Sequence, residues 1–171
     1  HRRLHDALDA ARRIPPAVDL DDLTADAVTP SFHLPHHGRD VRSLMERFAS
    51  VFQPGVQTAA ARHLRDAGVR VPESGKLRAE GRNGRPRIGF VVTQPHQAGF
   101  LRAMGGIVQH LDRDQFEPVV LCSAGVLHAC RDAIAREDVR WIGLPHRFSA
   151  ALEAVASARC DVLYYRKTVA D

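Results

Sequence analysis

Lysine is almost missing from this chain. Of its 24 basic residues, all but Lys76 and Lys167 are arginine, and they are interleaved with 20 acidic residues, for a formal charge of only +4. Aromatic residues make up 6% of the sequence. A nucleic-acid interface wants a basic face gathered in one place, and nothing of the kind is seen, so that class of partner is set aside. Cysteine is scarce too. Cys122, Cys130 and Cys160 are odd in number and fall on apolar segments, which suits buried, reduced thiols of a cytosolic protein better than a disulfide framework. No apolar run is long enough to span a bilayer and no signal peptide opens the sequence, so a cytoplasmic protein without a membrane partner is expected. Glycine is lacking where it would count most. The segment Thr93-Gln94-Pro95-His96-Gln97-Ala98-Gly99 holds Gly99 alone, whereas a dinucleotide fingerprint needs three spaced glycines, and no lysine-bearing phosphate loop occurs. An acidic pair is missing there as well, which argues against a phospho-acceptor domain.

What is present centres on Arg85 to Leu111 (RPRIGFVVTQPHQAGFLRAMGGIVQHL). Ile88 to Val92 is a short, β-branched apolar run of the kind that forms a strand buried on both faces. After a turn, Phe100, Leu101, Met104, Ile107, Val108 and Leu111 recur at steps of three and four, the period of a helix with one buried side. The alternation then repeats. Phe116 to Cys122 reads as a second strand with Pro118 near its start, since proline cannot donate to a sheet ladder. A helix follows through Arg136. Val139 to Leu144 is the third strand, Phe148 to Ala158 a helix with Ser149 as a candidate cap, and Cys160 to Tyr165 the fourth strand. Such spacing predicts right-handed crossovers and a parallel, doubly wound α/β sheet of about four strands, Rossmann-like, over residues 86–171. The pair Gly105-Gly106 reads best as a means of letting its helix lie close on the sheet.

The first 85 residues are different. His1 to Arg13 has helical spacing and is stopped by Ile14-Pro15-Pro16. Residues 1–30 read as the end of a helical region and a linker, with one helical turn around Asp21 to Ala27. Residues 31–68 form a small all-helical segment. Within it a helix over Arg39 to Phe52 should break at Pro54-Gly55, and a second over Val56 to Ala67 should close at Gly68. Leu44, Met45, Phe48 and Val51 share one stripe and need an apolar partner, which is expected to be the α/β domain. Residues 69–85 are rich in glycine, proline and charge, and read as a linker. Both ends of the sequence read as cuts in a longer polypeptide.

In open α/β folds ligands meet the loops at the carboxyl ends of the strands. His96, flanked by Gln94 and Gln97, stands in the first such loop. A loop histidine is more often a surface or hydrogen-bonded residue than a catalyst, so position alone leaves both roles open. His33, His36 and His37 are close together but lack a carboxylate or thiol partner, a weak metal pattern. One of His36 and His37 is the better candidate for lining a cleft. Of Tyr164 and Tyr165, alternating across the last strand, one should be core and the other should face the cleft mouth.

In sequence, RPRIGFVVTQPH, FLRAMGGIVQHLDRDQFEPVVLCS, SFHLPHHGRDVRSLMERFASVF and CDVLYYRKTVAD together resemble the amino-terminal half of the catalytic region of bacterial SPINDLY-type O-linked N-acetylglucosamine transferases, the tetratricopeptide-repeat glycosyltransferases. The resemblance runs through Arg87 to Val91, His96, Leu111-Asp112 with Phe116-Glu117, and Val119 to Ser123. Upstream it takes in Phe32, Leu34, Gly38, Arg42 and Leu44, and downstream Asp161 to Tyr165 and Asp171. The order of the motifs, more than any one of them, carries it. Arg166 to Ala170 departs from the family pattern by lacking its glycine.

That resemblance implies an inverting enzyme that uses a UDP-sugar donor without a metal or other cofactor. A protein Ser or Thr hydroxyl is the acceptor. The donor is held mainly by a second Rossmann domain that this sequence lacks, so the isolated segment should be inactive. His96 is implied as the catalytic residue, with Gln94, Gln97, His37 and Tyr165 contacting substrate. Two other readings stay open at this point. One is a non-catalytic protein-binding module derived from such a transferase, and the other a different Rossmann-type nucleotide-sugar enzyme.

Overall fold

A computed structural model describes residues 2–13, 17–22, 40–69, 81–94 and 96–165. The chain divides into two compact units, His1–Gly68 and Val69–Asp171.

The first unit holds two helices, α1 (Arg2–Arg13) and α2 (Arg42–Asp66). Asp40 Oδ1 accepts the Arg42 N–H at 2.9 Å as α2 begins. Leu8 of α1 packs with Leu44 and Val51 of α2, joined by Ala11, Phe48 and Phe52. Leu44, Phe48 and Val51 of the stripe expected to pack on the α/β domain thus have an apolar partner in α1, within their own unit. Arg47 Nη1 donates to both carboxylate oxygens of Asp9, each at 2.9 Å, across the same pair of helices. The expected break at Pro54-Gly55 does not occur, and α2 runs through Pro54 without interruption. An interior proline costs about 3 kcal/mol through a lost donor and a clash. The buried residues Leu44, Val51, Ala59 and Leu64 lie on both sides of it, and this apolar burial offsets the penalty. The turn expected around Asp21 to Ala27 lies mostly outside the described residues, as do 70–80 of the linker.

The second unit is a four-stranded sheet of β1 (Arg87–Val92), β2 (Glu117–Ser123), β3 (Arg140–Leu144) and β4 (Val162–Tyr165). Its order is β3-β2-β1-β4 and every pairing is parallel. Between the strands run α3 over residues 97–110, α4 (Leu127–Ile134) after a 3₁₀ turn at Ala124–Val126, and α5 (Phe148–Ser157). Helices cover both faces. On one, Phe100 and Val108 of α3 and Cys130 and Ile134 of α4 pack on Phe90, Val92, Val120 and Cys122. On the other, Ala151, Ala154 and Val155 of α5 pack against Val119, Leu121 and Leu144. The result is the doubly wound α/β architecture expected from the alternating pattern. Pro118 is the second residue of β2, opposite Ile88, where its missing N–H does least harm. Among the described residues no helix is long and apolar enough to cross a membrane.

Three local expectations are corrected. The helix α3 begins at Gln97 as an α-turn, widens to a π-helix over Leu101–Gly105, and returns to α over Gly106–His110. A π-turn inserts an extra residue and rotates the helical turn after it. The buried positions therefore step from Phe100 to Gly105 to Val108, and Ile107 is left 49% exposed. Nor do the two glycines of this helix serve close packing on the sheet. A Cβ on Gly105 would meet only Leu101 Cδ2 at 3.9 Å, and one on Gly106 would meet nothing within 4 Å. Ser149 is not a cap, since α5 starts at Phe148 after an extended Arg147.

Candidate functional site

Strand order reverses between β1 and β4, because β1 leads to β2 on one side while β3 crosses back to β4 on the other. In doubly wound folds such a switch point, at the carboxyl ends of the strands, is where ligands bind. Two stretches reach it: the loop from Thr93 to His96, and the end of β4, where Tyr165 pairs in register with Val91.

The local sequence explains the loop's shape. Beyond Val92 the buried run ends in polar Thr93 and Gln94, and the His96 N–H donates to the Thr93 carbonyl at 2.8 Å to form a tight turn. The His96 carbonyl then accepts the Phe100 N–H at 2.9 Å, so His96 is the residue from which α3 starts. Phe100, 3% exposed, anchors that first turn in the core, its ring 6.3 Å from that of Phe90. The His96 imidazole makes no capping hydrogen bond to the helix and is half-buried. Gln97, also half-buried, is the first residue of α3.

Gln94 goes the other way. Its N–H approaches Ser123 Oγ at 3.4 Å, and its Oε1 lies 3.2 Å from where a Cβ on Gly125 would stand. Its side chain is therefore drawn over the loop after β2, away from β4. Ser123 and Gly125 escape a reading of the sequence by motif. The one available signal is the short Ser123-Ala124-Gly125 run at the second strand end, whose small residues leave room for a neighbouring loop.

Tyr165 is 55% exposed and Tyr164 is 37% exposed. The expectation that one of them is core is thus corrected. Among the described residues β4 pairs with β1 alone, and all four of its residues are exposed. Tyr164 still rests on the core, its ring 6.1 Å from that of Phe90. His37, like His33 and His36, lies outside the described residues, and so do Arg166 to Ala170.

Burial holds the three cysteines away from nucleophilic chemistry. Burial pushes the Cys122 thiol up to about 12 and the Cys160 thiol up to about 11, and burial also raises Cys130. A thiol needs its thiolate to act as a nucleophile, and these three are held in the neutral form at physiological pH.

A cavity of about 360 Å³ opens at the opposite, amino end of the strands, lined by Arg85, Arg113, Phe116, Glu117, Asp138 and Arg140 among others. Its charges are largely consumed internally. Arg113 donates to Asp138 at 3.1 Å and to the carbonyls of Leu111 and Val108, each at 2.7 Å, while Arg85 donates to the Arg113 carbonyl. The Arg113, Asp138 and Arg85 side chains that line it are thus engaged with the protein itself. Compared with protein-family models, curated proteins and solved structures, the chain matches none of them.

Proposed function

We propose that this chain is the amino-terminal part of an inverting glycosyltransferase that moves N-acetylglucosamine from a UDP-linked donor to Ser or Thr hydroxyls of proteins. The observation that carries the reading is the position of His96, half-buried in the first strand-end loop beside the switch point of a parallel sheet. The ordered motifs that resemble SPINDLY-type transferases support it. In this reading the acceptor oxygen attacks the anomeric carbon while the bond from that carbon to the phosphate oxygen breaks and UDP leaves. The hydroxyl proton passes to, or is shared with, the His96 imidazole, which can accept a proton at one ring nitrogen while donating from the other. Tyr165 and Gln97 flank the acceptor side. Gln94 acts less directly, by tying the loop to Ser123 and Gly125. The donor nucleotide belongs to a second domain, so calorimetry on this chain alone should show weak UDP binding at most. Tight UDP binding would overturn that division of labour.

The decisive experiment uses a polypeptide that joins this chain to a nucleotide-binding second domain. Transfer of labelled sugar to a Ser/Thr acceptor is measured for His96→Ala and for the unaltered protein, with thermal midpoints from the same preparations. Turnover should fall about 10²–10⁴-fold with the midpoint nearly unmoved. Unchanged turnover, or a loss that only follows the midpoint, would make His96 a structural residue. The sequence Arg166 to Ala170, which lacks the family's glycine, favours a second reading as a non-catalytic module. That reading predicts acceptor binding without any sugar transfer.

A further inference from the structure

We draw no further inference here: the strongest candidate, the edge strand β4, whose Val162, Leu163, Tyr164 and Tyr165 are all 37–55% exposed, is an unpartnered apolar edge of the sheet, and nothing in the structure shows what covers it.

Discussion

The two ends of one sheet are built on different terms. At the amino end the strands are fastened by polar contacts. The Arg87 N–H donates to Asp161 Oδ2 at 2.8 Å, the Asp161 N–H donates to the Arg87 carbonyl at 2.9 Å, and the Glu117 N–H donates to the Pro86 carbonyl at 2.9 Å. Arg87 Nε also meets Glu117 Oε1 at 3.2 Å, with both side chains only about one-sixth exposed. At the carboxyl end Gln94 reaches Ser123 across a long 3.4 Å hydrogen bond in an exposed position. Polar groups at the amino end hold neighbouring strands together through shielded contacts, whereas the Gln94–Ser123 contact beside His96 is long and exposed. A fold that stabilises itself at one end can give the side chains at the other end to function.

The largest effect should come from the amino end. Glu117→Ala leaves the Arg87 guanidinium without its carboxylate in a mostly buried position, and hydrogen bonds to charged groups are worth about 1.5–3 kcal/mol. Urea unfolding of this variant should show a loss of that order. A loss under ~0.5 kcal/mol would mean that the pair is solvated and that the contrast between the ends is smaller than the contacts suggest.

Next comes the join between β1 and β4. A Cβ on Gly89 would stand 2.7 Å from both Cys160 Sγ and Leu163 Cδ2. Gly89→Ala must therefore shift Cys160, Leu163 or the strand itself, and overpacking of this kind costs about 1–3 kcal/mol. Chemical denaturation measures it directly. Because Leu163 is on an exposed edge strand, the damage should be local to β4, with hydrogen exchange faster there than in β2. Uniform loss of protection across the sheet would show that β4 is integral to the core.

Legibility from the sequence divides along the same line. β1 and β2 are plain because a strand buried on both faces is an unbroken apolar run, and Val119 to Cys122 are indeed wholly enclosed. α2 defies the sequence rule at Pro54 because that local rule ignores how much apolar surface continues on either side. The exposure of Ile107 is hidden because a 3.6-residue period cannot anticipate a π-turn. Tyr164 and Tyr165 look half-core because alternation reports which face a side chain takes, while burial depends on what packs over that face. His96 can be placed at a strand end from sequence alone. The pull of Gln94 toward Ser123 and Gly125 cannot, since it arises between residues far apart in the chain.

The third comparison separates stability from chemistry. His96→Ala removes a half-buried side chain that lies outside the apolar clusters of the sheet, so the folding free energy should change by no more than about 1 kcal/mol. Circular dichroism melts of the isolated chain give this without reference to activity. A drop beyond ~1.5 kcal/mol would place His96 with the structural residues and dissolve the contrast between the ends.

The smallest effect concerns acid. Arg136 Nη2 donates to Asp138 Oδ2 at 2.6 Å, and Arg113 Nε reaches the same oxygen at 3.1 Å. The hydrogen bond from Arg136, with further help from Arg113, holds the Asp138 carboxyl at about 2, well below the ordinary value near ~3.9. A carboxyl whose folded pKa is depressed stabilises the fold above its unfolded pKa, and that stability is lost as pH falls through the folded value. The contribution of Asp138 should therefore be full above pH ~4 and should fade toward pH ~2. Its side chain is 42% exposed, so solvent screening keeps the effect to roughly a few tenths of a kcal/mol. Comparing thermal midpoints of the unaltered chain and Asp138→Asn at about pH 6 and about pH 2.5 isolates it, because the Asn variant lacks the titrating group. The gap between the two proteins should narrow in acid. A gap that stays constant would mean that Asp138 acts at the amino end through shape and neutral hydrogen bonding, with its charge contributing nothing measurable.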